Sequence, residues 1–215
     1  MNREQRIRWV MKPAVFVLSL VPLGMLFWWA FNDGLGANPV EFITRHTGRW
    51  GLRFLIIALC ITPLRKLSGW NALLRVRRML GLFAFFYLSL HFLTYLVLDA
   101  EFSLAYIVED VVERLYITAG FTGFCLLVPL AATSTNGMVR RLGGKRWQRL
   151  HRLVYPAVLA GCLHFLWLVK ADLREPLIYL GIVLFLLVLR TPAVAGRLSA
   201  IRQTTARAGA ADATG

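Results

Sequence analysis

The run Trp147-Gln-Arg-Leu-His151-Arg-Leu-Val-Tyr155-Pro156, continuing through an apolar stretch to His164 and Val169, decides what kind of chain this is. It opens basic and aromatic, then becomes apolar, and it carries two histidines thirteen positions apart. An ionisable residue inside a membrane-spanning helix is costly to hold there and points to function by default. The rest of the chain bears on whether 147–169 is such a helix and on what its histidines meet.

Composition places the chain in a membrane. It has 215 residues, 58% of them hydrophobic, and a mean hydropathy of +0.60. Soluble domains are roughly 45–50% apolar, and several runs approach the roughly 20 apolar residues that cross a bilayer. Cys60, Cys125 and Cys162 each stand alone in an apolar run, with no C-x-x-C pair. Disulfide frameworks, zinc sites and covalent haem attachment are therefore unsupported, and the thiols read as buried structural groups.

Six spans are expected, at about 13–31, 50–64, 79–98, 115–132, 147–169 and 176–189. The first follows a basic start but lacks a cleavage site, so it reads as a retained helix. Residues 32–39 are turn-rich, 40–49 suit a short interfacial helix, and Arg53 must snorkel or pair. The fold class is an all-α integral membrane protein, a six-helix bundle. It divides into a cytoplasmic N-terminus (1–12), a transmembrane domain (13–190) and a tail (191–215) whose composition reads as disordered.

Loop charge gives the orientation. The N-terminus, the second and fourth connections and the tail together carry +17, and the other three connections carry −3, which accounts for the net +14. By the positive-inside rule both termini are cytoplasmic. The basicity is then matched by anionic lipid at the inner leaflet, and no nucleic-acid partner is needed.

His91 lies thirteen residues beyond Arg78, as His164 lies thirteen beyond His151. At 1.5 Å per residue each stands about 20 Å from the cytoplasmic end of its helix. Two imidazoles at one depth on different helices can clamp a haem iron from both sides. The competing reading is a hydrogen bond between helices. His151 has no histidine opposite it. It would serve a second haem with Arg77, Arg78, Met79 or water as the other ligand, or it would contact a flavin or quinone. Arg77, Arg78, Arg149 and Arg152 suit propionates, phosphate or a quinone carbonyl, because guanidinium offers planar charged donors. Thirteen helical steps leave His151 and His164 roughly 140° apart in an ideal helix, and a kink at Pro156 is expected to rotate one against the other. His46 falls in the outer loop region and reads as unremarkable. Phe92, Tyr95, Phe165 and Trp167 flank the proposed site.

These residues resemble the MsrQ family, the haem-binding membrane subunits of the periplasmic methionine-sulfoxide reductase system, within the wider ferric-reductase-like transmembrane superfamily. The resemblance covers about 9–190. It rests on Gly34-Leu-Gly-Ala-Asn-Pro-Val40, Thr47-Gly-Arg49, Ile61-Thr-Pro-Leu64, Arg75-Val-Arg-Arg-Met-Leu-Gly-Leu82 and His91, then on Thr133-Ser-Thr135, Lys145-Arg-Trp-Gln-Arg-Leu-His151, His164 and Pro176-Leu-Ile-Tyr179. The resemblance implies haem b (one or two) and FMN in the bacterial inner membrane. Electrons would come from the quinone pool or a cytoplasmic flavin reductase and pass to a periplasmic molybdopterin methionine-sulfoxide reductase. His91 and His164 match the outer haem ligands and His151 the inner haem position. Where the superfamily has a fourth histidine, this chain has the Arg77-Arg78 region. No G-x-G-x-x-G is present, so a nucleotide-binding domain is not expected. A ferric-reductase-like or quinol-linked cytochrome b with another acceptor is the nearest alternative. A non-redox transporter or scaffold with structural histidines is the alternative of another class.

Overall fold

The computed structural model describes residues 3–191 and 194. The tail assigned to 191–215 lies almost wholly outside the described residues. Among those described, the chain is helical throughout, with short connections. In order the helices are α1 (Arg3–Arg6), α2 (Lys12–Phe31), α3 (Pro39–Ser68), α4 (Leu74–Thr94), α5 (Leu104–Glu113), α6 (Leu115–Ala132), α7 (Asn136–Leu142), α8 (Gly144–Leu150), α9 (Val154–Leu168) and α10 (Arg174–Val188). A π-helical turn, Ile7–Met11, joins α1 to α2, and another, Tyr95–Asp99, extends α4. Three stretches are long and apolar enough to cross a membrane: Trp9–Phe31, Asn71–Asp99 and Leu115–Ala132.

Three of the expected spans differ by more than a turn from the sequence expectation. Helix α4 begins at Leu74 instead of Met79, which takes Arg75, Arg77 and Arg78 into the helix. The interfacial helix expected over 40–49 and the span expected from Trp50 are one 30-residue helix, α3. Its start is set by Asn38, whose side chain accepts from the Glu41 backbone N–H (3.1 Å), with Pro39 in the first turn, where a missing N–H costs nothing. Its end is set by Gly69 in the left-handed conformation (φ 71°), donating to Arg65. The segment 147–169 is not one helix kinked at Pro156. A 3-10 turn, His151–Leu153, separates α8 from α9. Pro156 falls in the first turn of α9, where proline is tolerated.

Helix α3 packs along α4, and α6 along α9, with α10 against α9. Small residues permit the close approach: a Cβ at Gly51 would meet Leu88 at 2.5 Å, and one at Gly123 would meet the Ala157 carbonyl at 3.2 Å. The shared core includes Leu59, Ala84, Tyr87, Val158, Cys162 and Val183. Large apolar side chains such as Trp28, Phe31, Leu163 and Phe185 are left on the outside, as lipid requires.

Tyr87 docks α2. Its buried hydroxyl donates to the Ser19 carbonyl (2.8 Å) and accepts from the Leu23 N–H (3.1 Å). Those two backbone groups would otherwise bond each other, since they are four residues apart. The hydroxyl is inserted into the helical ladder beside Pro22, which has no N–H to give.

Candidate functional site

His91 on α4 and His164 on α9 face each other near one end of the bundle. Their ring centroids are 5.9 Å apart and the planes are inclined at 74°. Each imidazole is fixed in the same way by the helix packed against it. His91 Nδ1 lies 2.9 Å from the carbonyl of Thr44 on α3, and His164 Nδ1 lies 2.7 Å from the carbonyl of Tyr116 on α6. Four residues after each carbonyl stands a glycine. A Cβ at Gly48 would sit 3.0 Å from His91 Nδ1, and one at Gly120 would sit 2.7 Å from His164 Nδ1. The glycines let each ring lie against a helix backbone and reach a carbonyl one turn back.

A carbonyl only accepts, so in both rings Nδ1 carries the proton and Nε2 keeps its lone pair. This is the tautomer that a metal ligand needs, oriented by its second hydrogen bond. Two metal–imidazole bonds of about 2 Å and two ring radii of about 1 Å put an axial pair roughly 6 Å apart, close to the spacing observed. The spacing and the tautomer therefore suit two imidazoles that ligate one iron through Nε2. Among the described residues no cluster of three or more His, Cys, Asp or Glu offers another metal site.

His151 lies at the other end, about 20 Å along the helical segment. Trp147 stacks on it at 3.9 Å and donates from Nε1 to the Thr133 carbonyl (2.9 Å), while Thr133 Oγ1 is 3.2 Å from His151 Nε2. The 3-10 turn turns this ring toward α6. Arg77 is close enough for its charge to act on His151. Arg78 is not part of that environment. It is exposed and donates to Asn136 Oδ1 at 2.6 Å. Arg149 and Arg152 are exposed as well.

The flanking aromatics pack away from the imidazole pair. Phe92 stacks on Phe124 (4.9 Å), Phe165 meets Tyr179 edge-on (5.8 Å), Tyr95 donates to Asp110 (3.1 Å), and Trp167 is exposed. The aromatic ring beside His164 is Tyr116, at 6.1 Å. His46 is not a loop residue. It lies within α3, with Nε2 3.0 Å from the Pro22 carbonyl and ring contacts to Trp29, Phe42 and Trp50. It ties α2 to α3. Arg53 pairs, as expected: Nε donates to Tyr179 (2.6 Å), Glu175 lies 3.7 Å away, and Trp50 lies under the guanidinium.

Sequence reasoning missed Gly48 and Gly120. The signal was present in Gly48, inside Thr47-Gly-Arg49, but a glycine's partner is invisible until the helices are paired.

Residues 47–162 match the family described as ferric reductase like transmembrane component. Over longer stretches the chain is similar to proteins named protein-methionine-sulfoxide reductase heme-binding subunit MsrQ. It is 57% identical to that of Rhodospirillum rubrum over 190 residues, covering 86% of this chain and 90% of the relative. It is 55% identical to that of Herminiimonas arsenicoxydans, covering 84% of each. It is 52% identical to that of Xanthomonas campestris pv. campestris, covering 91% of this chain and 90% of the relative.

Proposed function

The chain belongs to the MsrQ family, and on that premise we propose that it is the haem-binding membrane subunit of a protein-methionine-sulfoxide reductase, carrying electrons through haem b held by His91 and His164. The observation that carries this reading is the imidazole pair 5.9 Å apart, each ring fixed through Nδ1 with Nε2 left to bind iron. When bound, haem supplies one-electron redox chemistry. The protein supplies ligand geometry, burial and the hydrogen bonds that set its potential.

The bundle sits in the bacterial inner membrane with six spans, formed by α2, α3, α4, α6, the α8–α9 segment and α10, and with both termini cytoplasmic. Loop charge supports this orientation. It puts the imidazole pair near the periplasmic face, beside a partner that reduces methionine sulfoxide at a molybdopterin centre. His151 and Arg77 are then on the cytoplasmic side, where electrons from the quinone pool or a flavin reductase, with FMN as carrier, would enter. One bis-imidazole haem is the count favoured by the histidines, because His151 has no second imidazole across from it.

The test is a dithionite-reduced minus oxidised spectrum of purified protein, with His91→Ala and His164→Ala beside the wild type. Sharp b-type bands that both substitutions remove are expected. A wild-type protein that stays colourless after haem supplementation overturns the reading and leaves a membrane protein with structural histidines.

A further inference from the structure

The end of the bundle opposite the imidazole pair contains two guanidinium groups with no carboxylate among the described residues to match them. Arg190, at the end of α10, donates through Nη1 to the Tyr155 hydroxyl (3.2 Å), and its guanidinium lies over that ring, 5.5 Å from the centroid. Through Nη2 it donates to the Leu59 carbonyl. That carbonyl is orphaned in α3 because its helical partner would be the N–H of Pro63, which does not exist. The Nε–H of Arg190 is buried and has no partner among the described residues. Arg77, on α4, is near enough for the Arg190 charge and the Tyr155 phenol to act on it.

Among the described residues no carboxylate oxygen lies within 4.0 Å of either guanidinium. The distribution of acidic residues explains this. Of eleven Asp and Glu, nine lie between Asp33 and Glu41, between Asp99 and Glu113, or at Asp172 and Glu175, and the other two, Glu4 and Asp212, belong to the terminal segments. The nine sit at the His91–His164 end. Along α3 alone, Glu41 is about 27 Å from Leu59. Two like charges held together and partly out of water are unfavourable unless an anion joins them.

We propose that Arg77, Arg190 and Tyr155 form a binding site for one phosphate or carboxylate group carried by a bound molecule, between α4, α9 and α10 at the inner end of the bundle. Capping the Leu59 carbonyl accounts for one N–H of Arg190. It does not account for the unpartnered Nε–H or for a second guanidinium beside it. Tyr155, accepting from Arg190, keeps its own O–H to donate, so the three residues present convergent donors of the kind that hold oxyanions. The site does not depend on iron binding by the imidazole pair. The anion has three chemical sources: a porphyrin carboxylate, a flavin phosphate or an anionic lipid head group.

Pairs of probes that differ only in the anion decide the matter on the full-length protein. These are protohaem against its dimethyl ester, FMN against riboflavin, and nanodiscs of phosphatidylglycerol against phosphatidylcholine, read as bound fraction by native mass spectrometry. The wild type is expected to prefer the anionic member of one pair by about tenfold or more, and that pair identifies the source. Arg77→Gln and Arg190→Gln are expected to abolish the preference while still binding the neutral member, with Arg190→Lys intermediate and Arg78→Gln unchanged. Should Arg190→Gln fail to fold for want of its cap, Arg77→Gln decides. No preference in the wild type for any pair, or a preference surviving in Arg77→Gln, overturns the proposal. Because binding of each neutral probe is scored separately, loss of haem at His91 and His164 is distinguishable from loss of this site.

Discussion

His164 Nδ1 lies 2.7 Å from the Tyr116 carbonyl, and the ring reaches it across the bare Cα of Gly120. The same relation joins His91 to Thr44 across Gly48. The chain uses one device twice: α4 and α9 both carry Leu-His-Phe-Leu (Leu90–Leu93 and Leu163–Leu166), whereas the segments facing them, 44–48 on α3 and 116–120 on α6, share only the glycine. Both imidazoles are thereby held in one tautomer.

Gly120→Ala is expected to displace the His164 ring, because its Cβ would stand 2.7 Å from Nδ1. Overpacking of this kind costs about 1–3 kcal/mol. Gly48→Ala, at 3.0 Å, is expected to do less. Haem retained per protein after purification, with the position of the reduced bands, orders the two; an unchanged spectrum in Gly120→Ala would mean that the ring does not need that cradle.

Tyr87→Phe removes the hydroxyl inserted between Ser19 and Leu23. A buried donor and acceptor left to re-pair across a kinked ladder cost about 1–3 kcal/mol. A lower thermal unfolding midpoint in detergent is expected, with the haem bands intact, because the hydroxyl removed bonds the α2 backbone and neither imidazole.

Asp110 is buried, accepts from Tyr95 at 3.1 Å and pairs with Arg114 Nε at 3.2 Å. It anchors the amphipathic helix α5 to the end of α4. Asp110→Asn is expected to free that helix. Hydrogen exchange over 104–113 should quicken by about tenfold or more while exchange in α9 stays as it was. Equal exchange in the two proteins would show that the anchor lies elsewhere.

Orientation can be read by labelling. With an impermeant maleimide on spheroplasts, Glu101→Cys is expected to react at once and Lys145→Cys only after lysis. The reverse pattern would invert the topology and put the imidazole pair on the cytoplasmic side.

Composition and the order of charges along the chain determined that this is an all-helical, lipid-facing bundle. The equal thirteen-residue intervals from Arg78 to His91 and from His151 to His164 determined that two imidazoles stand at one depth, because helical rise is the same in every helix. Helix α6 was legible to the residue for the same reason: its apolar run has one start and one stop. What a side chain meets across a helix interface is not written in its own neighbourhood. Only the packed bundle showed that Gly48 and Gly120 make room for the imidazoles, that His46 ties α3 to α2, and that Arg78 turns out to Asn136 while Arg77 turns in. Only packing placed the break at His151–Leu153 and not at Pro156, since proline in a first helical turn disturbs nothing. Arg190 closes the transmembrane domain expected from the sequence, but its partner was not legible there: Pro63, 127 residues earlier, leaves the Leu59 carbonyl for a distant donor to fill.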